Sequence, residues 1–301
     1  MSNDRIIDMS QLPPPEVIRQ VDFEQKLAEL KADFLEVAPE CEAALQLESS
    51  VLSKTFQFLA YLFMMDAQRS NEDAWAVMLA YAQDADLDNL GAWLQVERLV
   101  ITPEDTTTTP PTPAVLEGDE ALRRRIQLAP KGFSTAGPLD AYVFHALSAD
   151  GRVLDVLADS PQKGIAQVTL LSHEGNGTAS AELTAIVEQA LNQKDTSPMT
   201  DLVQVQSAGI VAYTIEANVY TLLGPDTGLV MQQVQASIDT YVKEARAIGV
   251  PVPLSGIYAA LHLSGVERVE LLSPTVDIAL GKYQAAHCAD VVLNHRRASD
   301  E

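Results

Sequence analysis

The stretch GIAQVTLLSHEGNGTASAELTAIVEQAL, residues 164–191, carries the fold class. IAQVTLL (165–171) is a short run rich in apolar and β-branched residues, the pattern of a strand. HEGNGT (173–178) interrupts it with two glycines. SAELTAIVEQALNQ (180–193) then repeats apolar residues at helical spacing. The same succession of strand, glycine-containing turn and helix returns in GIVAYTIEANVYTLLGPDTGLVMQQVQASI (209–238).

A second pair of segments echoes in the same way. HALSADGRVLDVLADSP (145–161) aligns with AALHLSGVERVELLSP (259–274) after one gap, each a helix end, a small turn, a strand and Ser-Pro. The two pieces stand in opposite order in the two halves. Duplication with permutation and coincidence between common motifs both account for this. Around these pieces, PLDAYVFHALSA (138–149), residues 228–245 and residues 254–264 read as helices. DLVQVQ (201–206), IVAYTIEANVY (210–220), VERVELL (266–272) and ADVVLNH (289–295) read as strands. The expectation is an α+β protein with two small α+β domains, 119–207 and 208–301, built on short mixed sheets.

The first hundred residues read differently. Residues 1–20 contain Pro13, Pro14 and Pro15 and are expected as an extended arm. Phe23, Leu27, Leu30 and Phe34 recur at helical spacing, and Pro39 ends that helix. A longer helix is expected from Cys41 to Arg69, a third capped by Asn71, and a short fourth capped by Asp88. Residues 21–101 are thus expected as a helical assembly domain. TPEDTTTTPPTP (102–113) has no apolar face. It predicts a stiff linker over 102–118, with Thr106, Thr109, Pro110, Pro111 and Pro113 as hinge residues. EGDEALRRRIQLAP is expected as a short helix ending before Pro130.

The second half of the long helix is unusual. FQFLAYLFMM, Phe56 to Met65, is apolar nearly all the way round, and such a helix needs cover on every side. Phe58, Leu62 and Met65 define one face; Phe56, Leu59 and Phe63 define another. The chain's own helices, Phe23 to Phe34 and Trp75 to Leu79, are expected to cover one. A second copy or another protein would cover the other, which makes this stretch the expected partner interface. The plainer alternative buries both faces in the chain's own core.

Composition narrows the function. The 301 residues hold 20 basic and 42 acidic side chains, a net charge of −22. Such a chain repels phosphate backbones, which argues against direct nucleic-acid binding and against anionic membranes. No apolar run approaches the ~20 residues of a spanning helix, and no secretory signal is read at the start. Two distant cysteines, Cys41 and Cys288, do not make a disulfide framework and fit a reducing compartment.

Motifs for chemistry fall short of their requirements. Asp84, Asp86 and Asp88 match positions one, three and five of a calcium loop, but Asn89 stands where glycine is needed and Gln95 where the bidentate glutamate belongs. His287, Cys288 and His295 cluster near the C-terminus without the fourth ligand zinc needs. His145 and His262 occupy matching places in the echoed helix ends, which fits packing or capping. GFSTAG (132–137) lacks the spacing of a nucleophile elbow, and HEGNGT is no phosphate cradle. Arg123, Arg124 and Arg125 read either as an anion site or as a solvated helix face. No catalytic residue, cofactor, metal or small-molecule substrate is expected.

Several stretches resemble the baseplate J-like family of contractile-tailed phages. They are MLAYAQDADLDNLGAWLQVERL (78–99), DEALRRRIQLAPKGFSTAGPLDAYVFHALSAD (119–150), VTLLSHEGNGTASAEL (168–183), GPDTGLV (224–230) and the opening DMSQLPPPEVIRQVDFE. The resemblance implies a structural subunit of a baseplate wedge. Such a subunit joins a partner tail protein and further copies of itself, rings the hub and connects to the sheath. It also implies assembly in the host cytoplasm and residence in the virion tail baseplate, or in a related bacteriocin or injection device. Two rivals need features the sequence lacks: a hydrolase needs convergent titratable groups, and an acidic DNA-mimic decoy needs a continuous stripe of acids.

Overall fold

The computed structural model describes residues 7, 9, 12, 13, 15–20, 22–133, 139–193, 202–222 and 227–297. The chain is α+β and divides into two compact units, Arg5–Glu97 and Arg98–Glu301.

The first unit is helical. α1 spans Phe23–Val37 and is capped by Asp22, whose carboxylate accepts the Gln25 N–H at 2.9 Å. A 3-10 turn, Pro39–Cys41, leads into the short α2, Glu42–Gln46. α3 then runs unbroken over Val51–Ala76, and α4 covers Asp84–Ala92. Three expectations change here. The helix foreseen from Cys41 to Arg69 is broken at residues 47–50, because Ser50 turns its hydroxyl onto the Ser53 N–H and starts a new helix. Asn71 caps nothing: it sits buried in α3, where its amide donates to the Arg19 carbonyl and accepts the Arg19 N–H, both at 2.9 Å. Asp88 lies inside α4, which begins at Asp84, so the acids at 84 and 86 occupy its first turn, where the positive end of the helix dipole favours them.

Part of the arm expected over 1–20 lies outside the described residues. Residues 15–20 are not simply extended: the Ile18 N–H donates to the Pro15 carbonyl, and Arg19 is the residue clasped by Asn71.

The second unit opens with a hairpin where a linker was expected. β1, Val100–Thr102, pairs antiparallel with β2, Val115–Leu116, and Asp105 pairs with Thr112 nearer the tip. A Cβ at Gly151 would run into the Val100 carbonyl, so the hairpin base is packed rather than free. α5, Asp119–Gly132, runs through Pro130 instead of stopping before it. Pro130 cannot donate to the Ile126 carbonyl and its ring crowds that group, and the helix ends two residues later.

Two three-stranded sheets follow. α6 is Leu139–Ala149, β3 is Val153–Gln162, β4 is Ile165–Ser172, α7 is Ala181–Leu191 and β5 is Leu202–Ser207. β4 is central, antiparallel to β3 and parallel to β5. In the second half β6 is Gly209–Thr221, α8 Thr227–Glu244, α9 Leu254–Leu261, β7 Val266–Ser273 and β8 Gln284–Arg297. β6 is central, antiparallel to β7 and parallel to β8. Each half therefore holds a central strand leading to a helix, and a helix leading to an antiparallel edge strand. Those two pieces swap order between the halves, as the sequence echo does, and the parallel edge strand comes last in both.

The halves are not separate bodies. β5 passes into β6 through the single buried residue Ala208. Leu171, Ala208, Ile248 and Ala285 share a small core between the sheets. The buried Asp155 of β3 accepts the Arg124 guanidinium and the Ile248 N–H, each at 2.9 Å. Asp159 accepts from Lys282 and Tyr283. Arg246 donates to the Gly175 carbonyl at 2.9 Å, pinning the turn in which Gly175 and Gly177 hold positive φ.

Candidate functional site: an open apolar face on α3

The surface of α3 was the main site expected from sequence. A narrow stripe of it is covered. Ser53, Phe56 and Ala60 are buried, spaced three and four residues apart as one helix face requires. The Phe56 and Phe34 rings meet at 5.0 Å, and Leu27 and Leu45 complete the cluster. Ser53 donates its hydroxyl to the Leu45 carbonyl at 2.8 Å, tying α2 to α3.

The remainder of the surface is open. Phe58 is 60% exposed, Phe63 49%, Tyr61 47%, Leu62 45% and Leu59 37%. Met65 is half-buried. The expected division into two faces is therefore redrawn: Phe56 alone of its trio is buried, while Leu59 and Phe63 remain exposed beside Phe58 and Leu62. The Lys26 ammonium lies 5.5 Å from the Phe63 ring centre and is the polar cover α1 supplies there. Trp75 cannot fold back over this surface, because α3 continues through it as one helix.

The unit behind this face has a thin core. Among the described residues of Arg5–Glu97, seven apolar side chains are buried and fourteen large ones are exposed. Five of the fourteen fall within Phe58–Phe63, and clustered exposed apolar side chains mark interaction sites.

The expected hinge residues lie on the hairpin tip. Thr106, Thr109, Pro110, Pro111 and Pro113 are all exposed. The tip has its own bonds: the Asp105 carboxylate accepts the Thr107 N–H at 2.8 Å, and the Thr108 hydroxyl accepts the Thr112 N–H at 3.1 Å. The Thr107 hydroxyl, and after it the Thr107 N–H, hold the Asp105 carboxyl below its usual range.

The charged residues singled out in the sequence are placed as follows. Arg125 is buried and binds Glu117 through both carboxylate oxygens, at 2.8 and 2.7 Å. Glu117 also accepts the Leu99 N–H, and Arg98 donates to the Glu117 carbonyl. Arg123 is buried beside Glu120, and Arg124 reaches Asp155. The three arginines therefore form neither a solvated face nor an open anion site: Arg125 ties α5 to the hairpin base, Arg124 ties it to β3, and Arg123 pairs with Glu120 within α5. Their sequence pattern could not reveal this, since every carboxylate but Glu120 comes from another element.

Asp84, Asp86 and Asp88 belong to a helix rather than a metal loop. Among the described residues no group of three or more His, Cys, Asp or Glu is placed to hold a metal ion. A cavity of about 40 Å³ lies between Glu117, Arg125, Leu147 and His173, room for little more than a water molecule. A shallow cleft of about 300 Å³ runs over the helical unit past Lys31, Glu42 and Ser53. Burial holds His145 and His173 below the usual imidazole range, and the Arg246 charge adds to this at His173. GFSTAG lies largely outside the described residues. No described helix is long and apolar enough to cross a membrane.

The chain is 45% identical over 290 residues to baseplate protein J of Escherichia phage P2, covering 95% of this chain and 96% of that one. Residues 48–105 match the baseplate J-like N-terminal domain, and residues 213–294 match the baseplate J-like protein C-terminal domain. A solved structure, the six-fold symmetrised cryo-EM baseplate of the anti-feeding prophage, aligns with a TM-score of 0.39 at 16% identity. The alignment covers 61% of this chain and 44% of that chain. On the strength of the near full-length match, this chain belongs to the baseplate J-like family.

Proposed function

We propose that this protein is a structural subunit of a contractile-tail baseplate wedge, and that the open face of α3 is the seam at which it joins its neighbours. The near full-length relative carries the baseplate role. The observation that carries the seam is the run Phe58, Leu59, Tyr61, Leu62 and Phe63, exposed on a unit whose own core is thin. Burying a large apolar side chain contributes about 1.5–3 kcal/mol, so five such residues supply a strong drive to associate. Obligate interfaces have this apolar character. The occupants fitting the family are a partner tail protein and further copies of this chain. The acidic surface, net −22, suits neighbours that present basic patches.

The double variant Phe58→Asp, Leu62→Asp tests the seam. Both side chains already face solvent, so the free protein should keep its circular-dichroism spectrum. It should fail to co-purify with the neighbouring tail proteins that bind the unaltered chain. A variant that folds and still assembles normally removes α3 from the interface. A variant that unfolds alone makes these residues part of the chain's own core.

A further inference from the structure

Arg246 is a cation without a counter-charge in a chain of net −22. Among the described residues it bonds to no carboxylate. Nη2 donates to the Ser172 carbonyl at 3.4 Å and to the Gly175 carbonyl at 2.9 Å. Nε is buried without a partner, and Nη1, which is not enclosed, forms no bond. The neighbouring cations of this unit are matched: Arg124 with Asp155, Arg125 with Glu117, Arg152 with Asp150 and Glu182, Lys282 with Asp159. A guanidinium drawn out of water and left unpaired is costly. Burial accordingly holds the Arg246 side chain below its usual range.

Two imidazoles converge on this guanidinium from other elements. Ile248 pairs antiparallel with Ala285, and the Gly249 N–H donates to the Gln284 carbonyl at 2.7 Å. Two residues further along each segment, that register brings Arg246 to His287. Alternation places His287 on the same side of β8 as Ala285, which belongs to the small core between the sheets. His173 follows Ser172 directly, and its own N–H is held by the Arg152 carbonyl at 2.8 Å. The turn after it wraps the guanidinium: a Cβ at Gly177 would stand 3.5 Å from Nη2. His173, Arg246 and His287 are all half-buried, and no carboxylate of the described residues bonds to either ring. Arg246 acts on both imidazoles, and Glu117, already committed to Arg125, acts on His173 alone. Glu174, Lys243 and Glu244, close by in sequence, are exposed.

We propose that Arg246, His173 and His287 form a binding site for a small free oxyanion of the sulfate or phosphate type, held at the joint between the two sheets. A planar carboxylate is gripped through two parallel N–H bonds, from Nε with Nη2 or from Nη1 with Nη2. Nη2 is taken by two carbonyls and Nε is enclosed, so neither pair is available. A tetrahedral oxyanion accepts from several separate directions, which suits Nη1 and two imidazole N–H groups carried by different elements. A small ion also meets less repulsion from a chain of net −22 than an acidic segment of another protein would. Bound there, the ion supplies the counter-charge Arg246 lacks and favours the charged form of both rings. It thereby links the end of β4, the segment after α8 and the start of β8.

Histidine-ring NMR of the whole protein, in millimolar sulfate and in chloride at equal ionic strength, tests this. Sulfate keeps its charge from pH 8 to 5, so only the protein titrates. His173 and His287 should each titrate about one unit higher in sulfate, while His262 and His295 stay where they are. By reciprocity, each such rise makes sulfate bind about tenfold more tightly once that ring is charged. Calorimetry should therefore find tighter sulfate binding at pH 6 than at pH 8, and Arg246→Gln should weaken it at least about tenfold and cancel both ring shifts. The proposal is overturned if His173 and His287 titrate alike in the two salts, or if all five histidines shift together. It is also overturned if Arg246→Gln binds sulfate as the unaltered chain does. A short polyglutamate peptide that moves the two rings where sulfate does not would overturn it too, and would make this a docking surface for acidic protein. The rings of the unaltered chain decide the matter even should Arg246→Gln fail to fold.

Discussion

Glu117 and Arg125 illustrate what single residues do in this chain. Both are buried, and the guanidinium meets the carboxylate with two parallel bonds while Ser148 takes a third donor at 3.2 Å. Removing one partner of a buried pair strands the other, which costs about 3–5 kcal/mol. Glu117→Leu should therefore lower the free energy of unfolding by that amount, read as a lower urea midpoint with an unchanged slope. Glu117→Leu with Arg125→Met should lose less than the single variant, because no charge is left unpaired. Equal losses in both would show that packing, and not the ion pair, is what Glu117 supplies. The sequence displays both residues but not their pairing. Eight positions separate them, and the carboxylate arrives from the end of the hairpin rather than from the helix. Asn71 hides in the same way: asparagine after a polar run is a good N-cap, and only the distant Arg19 backbone lets it sit in a helix interior.

At the scale of elements, periodicity found what was long enough to show a period. α7, β6, α8 and β7 lie within a residue or two of where their patterns place them. The apolar run on α3 also announced itself, because ten residues without a polar face have no other reading. The hairpin did not. Its strands hold three and two residues, too few for alternation to register, and threonine with proline suits a spacer equally well. The difference has a measurable consequence. A non-specific protease should nick the exposed tip, residues 106–111, before it cuts α7. The hairpin arms are tied by the Val100–Leu116 pairing and by Glu117 bonding the Leu99 N–H, so the two fragments should co-elute under native conditions. A simple linker would release them once cut. Separation of the fragments would return this segment to the role of a spacer.

For the whole molecule, the echo between the halves of the second unit was legible as a pattern. The joint between those halves was not, since Asp155, Asp159 and Arg246 meet partners 71 to 124 residues away or, for Arg124, 31. That joint should make stability depend on pH. Burial is the first cause holding His173 and His287 below the ordinary imidazole value of 6.5, and the Arg246 charge between the halves is the second. Glu117 pulls His173 the other way, but less. His145 is lowered by burial too, against an opposing bond to Gly132. A histidine with a depressed pKa binds fewer protons folded than unfolded. Its contribution to stability is therefore whole above pH 6.5 and is lost as pH falls from there toward the folded pKa. The carboxyls of Asp159 and Asp150 are shifted down as well, by Lys282 and Arg152, so their contributions persist until pH falls below the ordinary carboxyl value of 3.8. Two separate losses should appear on acidification, the first beginning just below pH 6.5. Thermal unfolding measured from pH 8 to 3 should show the melting temperature falling in both windows. His173→Gln with His287→Gln should shrink the upper window to the share of His145 and leave the lower one in place. A melting temperature level from pH 7 to 5 in the unaltered protein would mean that these imidazoles titrate alike folded and unfolded, and that Arg246 does not act on them across the joint.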